Sequence, residues 1–600
     1  MAATVTTAPA DDAQLFREPL RTFHLSGQGL EEAMPTGVLR PSILDSLKLP
    51  DLEASYPMCV HPDGFARPFR EVVGELEHAG IITSAFRLAM KGQPSIALEE
   101  VAPTAIDSLV ECSKAEIAHL RKLLPAGAFL VGFHADSLVL LHGAMLAEAR
   151  RLQRARFWEE VEHTAARLRE ILTLDEAHAP GAISADSVTA SLGQRVGSFF
   201  NAARLAEALQ GPRNPSRRMD AERRSRCETT LAMLKEGLRD SAQYPAFWLF
   251  HSGVFGATSA PEVVSQFRGS AKWAVDSFAA ALQFCDARLD QFTHLLRALR
   301  VARLEIDAMF SPQIHEEMLA RFDWQSASAG ELNALPPIVV IETADCLAQA
   351  SLTSFGRLLR SGLPVQVLIL RSGLEPQDLH EFTPDFGYLS IAHRESFVLQ
   401  SSMAQPSHLL PGLAAMAKTL RPAVAVVAGP RRQEEDASVW REESLLILSR
   451  TFPLYSYNPE SGAHWKERFQ LLAHDVTHED LTAAHTIAVS DHFRQQFRIV
   501  PPSAWTGEQM ELKPYLDAYT HRPPLAIPYL WVEAQDGTRQ RAMLTRDLVN
   551  FCVDRRRAWA LFDELAEIGR PQPVPNENAQ EEGARAAIQQ VLAMLNVGQK

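Results

Sequence analysis

Two short aliphatic runs, IVVIE (338–342) and VQVLIL (365–370), flank a segment long enough for a helix. Runs of this length bounded by Pro and Gly form strands buried on both faces, as in parallel sheets. Between them, residues 347–360 read as a helix ended by Ser361, Gly362 and Pro364. Parallel strands need such a crossover, so the three pieces make one βαβ unit. The strand-and-helix pattern continues with a strand over 388–392, a helix over 407–420 and a strand over 423–428 stopped by Gly429 and Pro430. A doubly wound sheet beginning near Pro336 is expected, its strand order open.

The chain before this sheet reads as predominantly helical. Residues 136–174 contain no Pro and fit one long amphipathic helix or two in succession. A short helix over 201–210 follows, then mostly helical material over 235–303 that continues to Met309 and is interrupted at 244–261. The run AGAFLVGF (126–133) fits a strand and a helix start equally. After the sheet, IPYLWVEA (527–534), Asp536-Gly537 and residues 540–544 form a hairpin signal, and a helix over 545–568 follows. The fold class expected is α/β: a mostly helical N-terminal half, a doubly wound parallel-sheet region and a mixed α+β C-terminal part. The expected division is a disordered N-terminus (1–20), an α-rich domain (21–180), a helical domain (181–330), the α/β region (331–435), an α+β extension (436–570), and a linker with a terminal helix (571–600).

Composition narrows the function classes. With 46% hydrophobic and 22% charged residues, general disorder and collagen-like structure are excluded. A formal charge of −14 disfavours binding to phosphate backbones, so no nucleic acid is expected. The one dense basic stretch, Arg213, Arg217, Arg218, Arg223, Arg224 and Arg226, is interleaved with Asp220, Glu222 and Glu228 and lacks aromatic residues. It reads as a solvated loop and helix start, or as a contact to an acidic partner. The six cysteines contain no Cys-x-x-Cys pair, so neither an iron–sulfur cluster nor a zinc site has local ligands, and a reducing cytoplasm fits. No basic segment followed by an apolar one opens the chain and no apolar stretch is long enough to span a bilayer, so a cytoplasmic location without membrane insertion is expected.

The run PPIVVIETADCLAQASLTSFGRLLRSGLPVQVLIL (336–370) is similar to the βαβ core of the thiamine-diphosphate domain in pyruvate and other 2-oxoacid:ferredoxin oxidoreductases. The resemblance resumes in AHRESFVLQSSMAQPSHLLPGL (392–413) and extends weakly through TFPLYSYNP, FRIVPP and IPYLWVEAQDG, covering about residues 322–568. In that family a Gly-Asp-Gly turn after the first strand holds Mg²⁺ through its Asp, and an Asn after the second strand completes the pyrophosphate clamp. Here Thr343, Ala344 and Asp345 stand at the turn, Cys346 follows, and RSGLEPQDLHEFTPDFG after Leu370 contains no Asn. The resemblance therefore implies a retained scaffold with an eroded clamp: no catalytic residue, no bound cofactor, and a vestigial site at Glu342 and Asp345. It implies a non-catalytic or regulatory subunit, a pseudoenzyme that pairs with an active oxidoreductase paralogue or complex subunit in an oligomeric redox or carbon-metabolism assembly. Two alternatives stand beside it: a divergent working enzyme binding thiamine diphosphate and Mg²⁺, with Asp345 as metal ligand, and a metabolite sensor using the vacated cleft.

Other constellations carry less. His474, His478, His485 and His492 offer metal-ligand spacing but read as a polar surface segment. Gly27 and Gly29 resemble part of a phosphate loop, yet Glu31 and Glu32 would repel an anion there. His393, Ser401, Ser402 and His408 lack the Gly-x-Ser-x-Gly elbow of a hydrolase.

Overall fold

The computed structural model describes residues 10–61, 65–74, 76, 79–89, 95–97, 128–178, 183–192, 201–209, 218–254, 264–265, 269–374, 376–379, 385–430, 436–472, 481–519, 523–534 and 536–566. Near the start, β1 (Met58–Val60), β2 (Ala66–Pro68), β3 (Ser95–Ala97) and β4 (Phe129–Val131) pair antiparallel in the order β2-β1-β4-β3. Within the ambiguous run at 126–133, Phe129–Val131 is thus a strand.

The central sheet has eight strands: β5 (Trp248–His251), β6 (Ser270–Trp273), β7 (Ile338–Thr343), β8 (Val365–Arg371), β9 (Phe397–Ser402), β10 (Ala423–Ala428), β11 (Tyr455–Tyr457) and β12 (Phe469–Leu471). Their order is β12-β11-β9-β10-β8-β7-β5-β6, parallel from β6 to β9 and antiparallel at β11 and β12. Right-handed crossovers put the helices of the outward connections on one face and that of the returning β9-to-β10 connection on the other. The packing agrees: Ser277–Ile306 lies on Leu352–Ser361, whereas Pro406–Lys418 lies on Ser137–Ala149. Cover on both faces is why β10 is uninterrupted aliphatic and β8 aliphatic but for Gln366 and the terminal Arg371.

Several expectations are corrected. The parallel sheet begins at Trp248, not at Pro336, because WLFH and SAKW of the supposed helical domain supply β5 and β6. Residues 388–392 lie in the helix Phe386–Ala392, and the strand is Phe397–Ser402, whose buried Gln400, Ser401 and Ser402 hid it among polar residues. The N-terminus is helical from Ala10 to Ser26 rather than disordered to residue 20, and it buries Leu20 and Phe23 against Tyr529 and Met543. The stretch 136–174, by contrast, takes the second of its two expected forms, two helices in succession, Ser137–Ala149 and Arg151–Ala177, broken at Arg150. One hydrophobic core runs from Leu52 to Leu454, across the boundaries drawn at 180, 330 and 435.

The C-terminal sheet comprises β13 (Phe497–Val500), β14 (Gln509–Glu511), β15 (Ile527–Glu533) and β16 (Arg539–Leu544) in the order β13-β16-β15-β14. The hairpin of β15 and β16 turns at Gly537, whose φ of 79° needs glycine, with Asp536 accepting from the Thr538 amide. The helix Arg546–Ala566 then returns Phe562 to Tyr455 and Phe469 at the edge of the central sheet. The linker and terminal helix expected over 571–600 lie outside the described residues. No described helix is long and apolar enough to cross a membrane.

Candidate functional site

Strand order reverses beside β5: β6 pairs on one side of it and β7 on the other. Connections that leave such a pair in opposite directions open a crevice at the carboxyl ends of the strands, where doubly wound sheets bind ligands. Glu342 sits there, next to the end of β7. It is fully buried. Its Oε1 accepts from the Ser252 amide at 2.8 Å and from Ser277 Oγ at 2.5 Å, and its Oε2 accepts from Ser252 Oγ at 2.7 Å. These donors come from the end of β5 and the start of the helix Ser277–Ile306, so the carboxylate ties three elements together.

Asp345 is not part of this arrangement: it is exposed, on the short helical turn Ala344–Cys346. Thr343 caps that turn, its Oγ1 accepting from the Cys346 amide at 3.2 Å. The strand thus passes directly into a helix that widens through a π-helical turn, Leu347–Ser351. The Cys346 thiol lies 3.3 Å from Ser252 Oγ, and burial raises its pKa with Glu342 and Asp345 adding to the effect. The neighbouring His251 is shifted down by burial, against the pull of Glu342. Trp273, 64% exposed, closes one side by donating its indole N–H to the Ser252 carbonyl at 3.1 Å.

These residues do not fit a Mg²⁺–diphosphate clamp. Mg²⁺ demands several oxygen ligands in octahedral geometry. Both Glu342 oxygens already accept hydrogen bonds, Asp345 stands apart, and no group of three or more His, Cys, Asp or Glu able to hold a metal occurs among the described residues. The two carboxylates that the sequence singled out are therefore not brought together.

Farther along the same edge, Arg371 of β8 and Glu443 flank a space of only about 10 Å³, with Ser402 Oγ donating to Glu443 at 3.1 Å. Sequence patterns gave no sign of this group, because its members meet only through the sheet. Ser401 and His408 do meet, at 2.9 Å, but Ser401 is fully buried in β9 and burial drives the His408 pKa down to about 4. His393 only ends the helix Phe386–Ala392.

The basic stretch turns inward. Arg223 and Arg226 both bond Glu305, at 2.8 and 2.7 Å, and Arg224 bonds Asp175 at 2.9 Å, both acids being nearly inaccessible. Arg213 and Arg217 lie outside the described residues. Gly27, at φ 72°, terminates a helix rather than opening a phosphate loop. His485 caps its own helix through Thr482, and His492 is exposed on a separate turn; His474 and His478 lie outside the described residues. Compared with known proteins, the sequence matches no family model and no curated protein.

Proposed function

We propose that the chain is a non-catalytic or regulatory subunit, a pseudoenzyme built on a scaffold like the thiamine-diphosphate region of 2-oxoacid:ferredoxin oxidoreductases. It would act in the cytoplasm as part of a larger redox or carbon-metabolism complex. The observation that carries this reading is the engagement of both Glu342 oxygens by three hydrogen bonds from Ser252 and Ser277 at the switch-point crevice, which leaves little of the carboxylate for a ligand. A carboxylate that serves a metal or a cofactor keeps lone pairs facing the ligand.

The turn beside it supports the same reading, since Thr343, Ala344 and Asp345 place side chains where backbone would have to approach a diphosphate. Cys346, with its pKa raised, is a poor nucleophile. Without a Cys-x-x-Cys pair in the chain, cluster-borne electrons would belong to a partner. Trp273, bonded to the Ser252 carbonyl and 64% exposed, and Val275, two residues on and 76% exposed, are apolar surface of the kind that partners cover.

Calorimetry of the full chain with millimolar thiamine diphosphate and Mg²⁺ tests the eroded site. No saturable heat is expected; saturable binding abolished by Asp345→Ala would establish the divergent enzyme instead. Affinity purification from the native host tests the subunit. A cysteine-rich oxidoreductase retained in fixed stoichiometry supports it, and elution of the chain alone counts against it.

A further inference from the structure

A second pocket, of about 310 Å³, opens at the other edge of the central sheet, where the chain enters β5 and β7. Its walls are apolar: Leu146, Ala246, Leu335, Pro336 and Pro337 among them. Its polar side chains are Arg150, Arg151, Arg154 and Trp158. Arg150, Arg154 and Trp158 form one stripe, spaced one turn apart along the helix Arg151–Ala177 and the residue before it, whereas Arg151 is largely exposed and paired with Glu148 at 2.7 Å. No Asp or Glu lines it.

Arg150 is only 5% exposed. Its Nη2 donates to the Thr419 carbonyl at 3.2 Å, and among the described residues its Nε has no hydrogen-bond partner and no carboxylate pairs with it. Burial lowers its pKa to about 10, which leaves it cationic at neutral pH. Arg154 is held by the Tyr244 and Pro245 carbonyls and likewise has no ion pair among the described residues. The buried indole N–H of Trp158 also has no acceptor among the described residues. Each of these polar side chains is a donor, and Arg150 is a buried cation with no counter-charge among the described residues, an arrangement costly unless an anion completes it.

We propose that this pocket binds a small organic carboxylate with a compact apolar body. The carboxylate accepts from Arg150 and Arg154, while the body rests on the prolines and Leu335. The volume is at the small end of ligand sites, which suits a compact acid rather than a nucleotide. The site is independent of the switch-point crevice and lies on the opposite edge of the sheet.

The test is calorimetry and thermal melting of the full chain with benzoate, with benzamide as its neutral counterpart, and with inorganic phosphate. Benzoate is expected to bind saturably with one site per chain and to raise the melting temperature, whereas benzamide and phosphate are not. Arg150→Met and Arg154→Gln should each weaken benzoate by about tenfold or more, the loss of one charge-assisted contact. Should Arg150→Met fail to fold, Arg154→Gln and Trp158→Phe decide the question alone. Benzamide binding as well as benzoate, phosphate binding in preference to it, benzoate failing to bind, or benzoate affinity indifferent to the substitutions would overturn the assignment.

Discussion

A carboxylate sealed from water depends wholly on the donors around it, and removing one side of such a group leaves the other side unsatisfied. Glu342→Ala strands Ser252 and Ser277 in the interior and unties β5 from β7 and the helix Ser277–Ile306. It should lower the unfolding free energy by about 3 kcal/mol. Asp345→Ala, on an exposed turn, should change it by less than about 0.5 kcal/mol. Urea titrations of the two variants measure the contrast, and an equal loss at Asp345 would mean that it has partners in the folded chain.

A second residue-scale effect concerns His142. Gln366 uses its amide nitrogen on the Met416 carbonyl, so its Oε1 accepts from His142 Nε2 at 2.7 Å and the imidazole is neutral. Burial depresses the His142 pKa to about 4, with the nearby Arg150 adding to the effect. The unfolded chain therefore binds the extra proton first, below its ordinary value near 6.5. Stability should fall as pH drops from about 6.5 toward 4, by on the order of 3 kcal/mol from this residue. His142→Leu should flatten that slope in urea titrations at successive pH values.

At the scale of elements, two glycines in helices have opposite surroundings. In the helix Pro406–Lys418, a Cβ on Gly412 would press into the fully buried Leu399 of β9, with Cγ at 3.1 Å and the methyls nearer still. Gly412→Ala should cost about 1–3 kcal/mol by overpacking. In Leu352–Ser361 a Cβ on Gly356 meets nothing within 4 Å, so Gly356→Ala should gain about 0.5–1 kcal/mol from helix propensity. Thermal melts of both variants would show shifts of opposite sign. The same packing explains what could be read beforehand. IVVIE and VQVLIL were legible because strands buried on both faces are mostly aliphatic, here interrupted only by Gln366 and ended by Glu342. β6 was not, since SAKW sits at a half-exposed sheet edge with no run to detect, and β9 was not, since its polar residues are satisfied by distant groups. Glu342 could be singled out from its place near a strand end. Its donors could not, lying 90 and 65 positions away, and neither could the burial of Arg150, which exists only once two helices and two strands meet.

For the whole molecule, the sheet order makes the two halves interdependent. β5 and β6 come from the first half and complete a sheet otherwise built after Pro336. The helix Ser277–Ile306 covers β7 and packs on Leu352–Ser361, with Phe278 against Phe355. A fragment beginning at residue 331 would make β7 an open edge, with its backbone unpaired and Ile338, Val339 and Val340 stripped of cover on one side. It would also deprive Glu342 of every donor described above and leave a buried charge without compensation. The C-terminal sheet would lose the helix Ala10–Ser26, and with it Leu20 and Phe23 from its core. Residues 331–600 expressed alone should therefore aggregate or lack a cooperative melt by circular dichroism, and co-expression with residues 1–330 should restore a soluble complex. A cooperative, monomeric fragment would show that the sequence-drawn boundary at 330 separates independent folding units, and that the first half is an addition rather than part of the same core.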